Sequence, residues 1–241
     1  SDALRPFFLT TTELISIPTG LLFLSALGTI WAGRLWLVTP MLFGLAVFFN
    51  FVIGGVTGVF LADIYTDIHL QDTYFVVAHF HYTIVGAGIF GLFAGIYYWF
   101  PKMTGLMYSE GLAKLHFWCM FIGFNLTFLG MFWAGVNGMN RRVAEYIPQL
   151  EDVNLFSSIA GFMLGASFLI FLYNIVNSWV RGPIAESNPW GARTLEWQTT
   201  SPPPVENFIN QPEVLAHPYE YGNPSAVHST LGVSTGLPAN V

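Results

Sequence analysis

Five stretches of this chain are long and apolar enough to cross a lipid bilayer: Phe7–Ile30, Thr39–Leu61, Thr73–Phe100, Ala113–Ala134 and Leu155–Val180. A hydrocarbon core of about 30 Å needs roughly 20 residues of helix. Inside it every backbone polar group must find its partner within the protein, which leaves only helices or closed barrels. The runs do not alternate polar and apolar residues, so a barrel is disfavoured. The predicted fold class is all-α: a polytopic transmembrane helix bundle of about five spans, followed by an irregular, Pro-rich C-terminal tail. The third run would measure about 42 Å as a helix, so it is expected to tilt or to pass the headgroups. Pro40, Pro101 and Pro148 fall near run ends, where proline is tolerated. Trp31, Trp36, Trp99 and Trp179 lie there too, as interface anchors.

Composition removes the soluble alternatives. Apolar residues make up 54% and charged residues 9%, against about 25% charged in a globular protein. A net charge of −6 gives no footprint for nucleic acid. The single cysteine, Cys119, allows neither a disulfide framework nor a Cys-rich metal site. The chain divides into a membrane part, 1–181, and a tail, 182–241. That tail holds nine of the 14 prolines and is expected to be extended on a surface. Five crossings put Arg34, Lys102, Lys114, Arg181 and Arg193 on one side and Arg5, Arg141 and Arg142 on the other. This bias sets the tail in the cytoplasm or matrix and the Asp63–Asp72 loop outside.

The strongest chemical signal is Ala78-His79-Phe80-His81-Tyr82, inside the third run. Histidines in a membrane helix are costly and need partners. Positions i and i+2 on a helix differ by about 200°, so the two imidazoles leave opposite faces. They cannot chelate one ion but can ligate two separate centres, and imidazole is a common axial ligand of haem iron. Two packing histidines bonded to neighbouring helices fit the same spacing. Asp63, Asp67, His69, Gln71 and Asp72 form either a hard-cation site at the outer surface or a solvated acidic loop. Arg141 and Arg142 suit carboxylate or phosphate groups, whether haem propionates or lipid headgroups. Thr12, Ser16 and Thr19 form one polar stripe with Glu13 beside it. The stripe serves either to hydrate a proton path or to bond back to its own helix. Gly86-Ala87-Gly88-Ile89-Phe90-Gly91 matches a dinucleotide fingerprint, but no strand precedes it. Gly91 and Gly95 read better as small residues that let helices approach. His116 is expected at the membrane interface.

Together these strings resemble subunit I of the haem–copper oxidases, the cytochrome c oxidase family. Asp72-Thr73-Tyr74-Phe75-Val76-Val77-Ala78-His79-Phe80-His81-Tyr82 resembles that family's tenth helix. Ile17-Pro18-Thr19-Gly20 resembles the eighth, and Gly54-Gly55-Val56-Thr57-Gly58 the ninth. Tyr98-Trp99-Phe100-Pro101, Gly138-Met139-Asn140-Arg141-Arg142, Leu195-Glu196-Trp197 and Ser201-Pro202-Pro203-Pro204 follow in family order.

The resemblance implies the last five of twelve helices of an oxidase that reduces O2 to water and pumps protons. It implies His79 as ligand of the high-spin haem, His81 as ligand of the low-spin haem, and Phe80 on the short path between them. It implies Arg141 and Arg142 at the haem propionates, Asp67 near the high-spin propionate, and Asp72 with Gln71 at a surface Mg2+ site. Two haems, of haem A type, are expected, with copper from residues outside this chain. The implied partners are the N-terminal half of subunit I (a separate chain or the missing part of this one), subunit II with its CuA centre, subunit III, membrane lipid, and cytochrome c or quinol as donor. No nucleic acid is expected. The expected location is the cytoplasmic membrane of a prokaryote, with the mitochondrial inner membrane as the alternative. Two positions depart from the family: Gln71 stands where a histidine is usual, and Leu22 where a lysine lines a proton path. A nitric oxide reductase relative, and a haem-free transporter or scaffold, are the rival readings.

Overall fold

A computed structural model describes residues 4–33, 35–217 and 227–231. Arg34, counted above for orientation, lies outside the described residues, as do 218–226 and 232–241 of the tail. Five helical stretches are long and apolar enough to cross a membrane: Pro6–Ile30, Thr39–Ala62, Tyr74–Thr104, Glu110–Val136 and Pro148–Arg181. All five expected spans are present, and no strand occurs among the described residues, only isolated bridges.

The internal detail differs from the expectation. The first span is two helices, α1 (Arg5–Leu14) and α2 (Ser16–Ile30), broken at Ile15. Pro18 explains the break, because it offers no N–H to the carbonyl of Leu14, four residues back. Next comes α3 (Thr39–Ala62). The segment expected as an outer loop is largely a short helix, α4 (Ile64–Leu70). The third span begins as α5 (Tyr74–Phe80), capped by Thr73 Oγ1, which accepts from Phe75 N at 3.2 Å. It then widens into a π-helical segment, His81–Ile89, and continues as α6 (Phe90–Thr104). Pro101 sits inside α6 rather than at its end. The last two spans are α7 (Glu110–Val136) and α8 (Glu151–Arg181).

The described residues group into two compact units. The first comprises residues up to Ala94 together with Lys114–Ile170. Here α3 packs along the π-helical segment, and aromatic rings fill the space between helices. Phe43, Phe90 and Phe124 are fully buried. Apolar burial between helices gains little where the surroundings are themselves apolar, so close packing and hydrogen bonds hold such helices together. Three buried side chains supply the bonds: Tyr82 Oη donates to Asn125 Oδ1 (2.8 Å), and Asn125 Nδ2 donates to Asn50 Oδ1 (3.3 Å). His116, expected at the interface, is fully buried between Phe43 and Phe93, with ring centroids 5.2 and 4.8 Å away. Gly91 and Gly95 are not the close-approach glycines, since a Cβ at Gly91 would meet another helix only at 3.9 Å.

The second unit comprises Gly95–Ala113 and the residues from Phe171 on. The described residues of its tail are largely irregular, and some of them are buried. A turn of 3-10 helix, Leu195–Gln198, buries Trp197 completely. Lys102 Nζ donates to the carbonyls of Ser187 (2.8 Å), Thr199 (2.8 Å) and Thr200 (3.2 Å), and lies 5.0 Å from the Trp197 ring centre. One ammonium thus ties three loop carbonyls to the end of α6. In the same unit, burial and the neighbouring Glu110 push the Tyr108 phenol far above its ordinary range.

Candidate haem-ligand site

His79 lies in the last turn of α5, and its ring meets α3. A carbonyl oxygen only accepts, so the 3.0 Å contact of His79 Nδ1 with Gly54 O places the ring hydrogen on Nδ1. Thr57 Oγ1 lies 3.3 Å from the same nitrogen. A Cβ at Gly58 would stand 2.9 Å from His79 Cε1, so only glycine leaves room for the imidazole there. Gly54 is equally tight, with a Cβ meeting Thr83 Cγ2 at 2.9 Å. Gly58 thus leaves room for the ring and Gly54, four residues before it on α3, for Thr83, a glycine bed beneath this part of the third span.

His81 opens the π-helical segment and faces another helix. Its Nδ1 donates to Val77 O at 2.8 Å, and its ring stacks on Phe128 of α7, centroids 4.2 Å apart at 18°. The rings of His81 and Phe80 are 4.5 Å apart. The two histidines diverge, one toward α3 and one toward α7, as the i, i+2 spacing predicts. In both, Nδ1 carries the hydrogen and Nε2 keeps the lone pair that a metal requires. Beside His79 opens a cavity of about 520 Å3, walled by Gly54, Gly58 and Thr83 and, from the first span, by Glu13, Ser16 and Thr19. Glycine-lined space next to a preset imidazole fits a bulky planar group.

At the outer end, Thr73 and Asn140 form an antiparallel bridge, and Arg141 N donates to Asp72 O at 2.8 Å. Arg141 grips Asp72 Oδ1 through Nε (3.0 Å) and Nη2 (2.6 Å). Asp72 and Arg142 both have positive φ, 59° and 63°. Arg142, Gln71 and His69 are exposed. Asp67 is half-buried; burial, and then the neighbouring Asp72, raise its pKa above the ordinary aspartate range. Asp63 accepts from Thr66 Oγ1 at 2.7 Å. No group of three or more His, Cys, Asp or Glu able to hold a metal occurs among the described residues. The structure thus joins Asp72 to Arg141, residues the resemblance assigned to different groups.

A family model described as cytochrome c and quinol oxidase polypeptide I matches residues 1–163. The chain belongs to this family. Curated relatives agree: cytochrome c oxidase subunit 1 of Synechocystis sp. is 49% identical over 219 residues, covering 91% of this chain and 40% of that protein. The subunit 1 of Thermostichus vulcanus is 50% identical with the same coverage. A probable subunit 1-beta of Nocardia farcinica is 46% identical over 88% of this chain and 37% of its own length. The chain therefore spans about two-fifths of the relatives it matches. A cryo-EM structure of a haem–copper terminal oxidase dimer shares the fold at a TM-score of 0.52 and 22% identity, covering 63% of this chain and 28% of that one.

Within this oxidase family, haem and copper are the implied cofactors, other subunits the implied partners, and a membrane the setting. Four features of the site escaped the sequence reading. These are the glycine bed under His79, the Phe128 stack on His81, the π-helical widening, and the Tyr82–Asn125–Asn50 chain. The first had a signal, since Gly54 and Gly58 have the small-xxx-small spacing of close helix pairs. The others depend on which helices become neighbours.

Proposed function

We propose that this chain is the C-terminal part of the catalytic subunit of a proton-pumping haem–copper terminal oxidase. His79 would hold the high-spin haem and His81 the low-spin haem. The observation that carries the reading is the pair of diverging imidazoles, each with Nδ1 spent on a backbone carbonyl, Gly54 O or Val77 O, and Nε2 left for a metal. When bound, the haems and a copper ion held outside this chain supply the one-electron transfers and the reduction of O2 to water.

This chain's residues orient and shield. The glycine bed fixes the His79 ring. Phe128 and Phe80 hold His81 and exclude water between the two sites. Arg141 and Arg142 carry the positive charge that receives haem propionates, and Asp67 stands at the same rim. Asp72 and Gln71 would offer oxygen donors to Mg2+, with further ligands from a partner. The haems are of A type. The assembly includes the N-terminal half of subunit I, subunit II with CuA, subunit III and lipid, with cytochrome c or quinol as donor. The bacterial relatives favour the cytoplasmic membrane of a prokaryote.

Reduced-minus-oxidised spectra of the purified complex, with and without CO, test this on His79→Ala and His81→Ala. The parent should show two unequal haem populations. His79→Ala should lose the CO-sensitive part and His81→Ala the low-spin part, each with turnover abolished. An intact parent complex without haem absorption would overturn the reading.

A further inference from the structure

Four residues on three spans close a circuit of hydrogen bonds in the first unit. Gly86 O, in the π-helical segment, is a carbonyl and only accepts, so Asn50 of α3 must turn its Nδ2 toward it, at 3.5 Å. Asn50 Oδ1 then faces α7, where Asn125 Nδ2 donates to it at 3.3 Å and to Phe121 O at 2.9 Å. Asn125 Oδ1 is left to accept from Tyr82 Oη at 2.8 Å, and Tyr82 belongs to the same segment as Gly86. One carbonyl thus fixes the orientation of every group, and the circuit returns to the span it left. Tyr82 and Asn50 are fully buried. A Cβ at Gly86 would stand 2.8 Å from Asn50 Cβ, so glycine there admits the amide. No member of the circuit lines the cavity beside His79. Its neighbours lead to His81 instead. Tyr82 follows His81 in the chain, and Phe128, whose ring stacks on His81 at 4.2 Å, lies one turn after Asn125 on the same face of α7. The Tyr82 ring meets Phe124 and Phe132 of α7, with centroids 5.0 and 5.5 Å away. The bond from His81 Nδ1 to Val77 O fixes one point of the imidazole. The plane of the ring needs a second contact, and Phe128 provides it.

We infer that the Tyr82–Asn125–Asn50 circuit sets the plane of the His81 imidazole by holding α7, and with it Phe128, in register with the third span. Tyr82, Asn125 and Asn50 are positioning residues, because they act on His81 through Phe128. The inference rests on the function proposed above, in which His81 would hold the low-spin haem. Groups that orient an imidazole ligand tune the metal it binds, and contacts beyond the ligand are one lever on haem potential. Two amides and a phenol do this without placing a charge inside the membrane. The circuit is closed, so breaking any one link frees α7 to shift against the third span.

The test uses the whole detergent-solubilised oxidase complex. Tyr82→Phe removes one hydrogen-bonding oxygen, and Asn50→Ala opens the circuit on another helix. Both should shift the g-values of the low-spin ferric haem in electron paramagnetic resonance and move its reduced α-band. Turnover should fall about 10-fold, the low end of the loss seen when partners that orient a metal's ligand are changed. The CO difference spectrum, which reports on the His79 side, should stay parental. Phe128→Leu should shift the g-values at least as far, and Tyr82→Phe should add nothing in that background, because its effect runs through Phe128. Should Tyr82→Phe fail to assemble, Asn50→Ala carries the same comparisons. Parental g-values, equal displacement of both haem signals, or shifts that add in full in the Tyr82→Phe and Phe128→Leu double variant overturn the inference. A haem-free parent, or a low-spin signal that survives His81→Ala, overturns the function reading instead.

Discussion

The first and fourth spans have the same mean hydropathy, 1.6, yet none of the first span's most apolar window is buried and 39% of the fourth's is. Hydropathy decides whether a helix can cross a membrane and says nothing about what it packs against. The difference lies in side-chain placement. On α7, Asn125 meets Tyr82 and Asn50, Phe128 meets His81, and His116 sits between Phe43 and Phe93. On α2 no residue is buried, and Leu21, Leu22 and Leu24 are exposed. Where polar groups find partners inside the chain, the helices lock and the candidate ligands sit on them. Where they do not, the helix keeps an apolar exterior suited to lipid or to another protein. Of this span's polar side chains, Thr12, Glu13, Ser16 and Thr19 turn to the cavity, while Thr10, Thr11 and Thr29 bond back to their own helix.

One substitution made in both regions gives the largest contrast. Gly58→Ala puts a methyl group 2.9 Å from His79 Cε1, whereas a Cβ at Gly28 meets nothing within 4 Å. We expect Gly58→Ala to displace the imidazole, remove or strongly shift the CO-sensitive haem spectrum, and cost about 1–3 kcal/mol, as overpacking does. Gly28→Ala should leave the spectrum alone and stabilise its helix by about 0.5–1 kcal/mol. Equal spectra from the two variants would break the comparison.

A smaller effect comes from the buried polar chain. Tyr82→Phe removes the donor to Asn125 Oδ1 and leaves that oxygen buried. The expected cost is about 0.6 kcal/mol, the average measured for bonds between membrane helices, and at most about 1.7 kcal/mol. Leu24→Ala, on the exposed side of the first span, should fall within about 0.5 kcal/mol of zero. Thermal unfolding of the complex in detergent measures both. A larger loss for Leu24→Ala would mean that the first span is packed against something the comparison leaves out.

The sequence made the five spans legible because bilayer thickness and hydropathy act on each run separately. The divergence of His79 and His81 was legible for a similar reason: it follows from spacing on one helix. What escaped depends on neighbours. The π-helical segment after His81 lies where Asn50 of α3 reaches the carbonyl of Gly86, at 3.5 Å, a contact no single run announces. The carbonyls around Lys102 come from residues about 85 to 98 positions away. The hydroxyl stripe of the first span allowed two readings. The structure gives back-bonding for Ser16 and Thr19 while still turning both to the cavity.

The smallest expected effect concerns charge at the outer corner, where burial and Asp72 hold the Asp67 carboxyl above its ordinary range. Its folded pKa is raised, so the folded chain holds this proton more tightly than the unfolded one. Asp67 therefore lowers stability as pH climbs from the usual aspartate value, about 4, through the raised one, and the deficit persists at neutral pH. Asp67→Asn cannot ionise and should flatten that part of the melting-temperature profile, leaving the variant equal to or slightly above the parent at neutral pH. The group is only partly buried, so the shift should be small and should shrink further in high salt. Asp72→Asn should move Asp67 back toward its ordinary range, but it also breaks the Arg141 pair and so should lower stability while it flattens the profile. Opposite signs from two neighbouring carboxylates would separate the residue that the fold tolerates from the one that it uses. Parallel profiles for Asp67→Asn and the parent would show that Asp67 does not feel its surroundings.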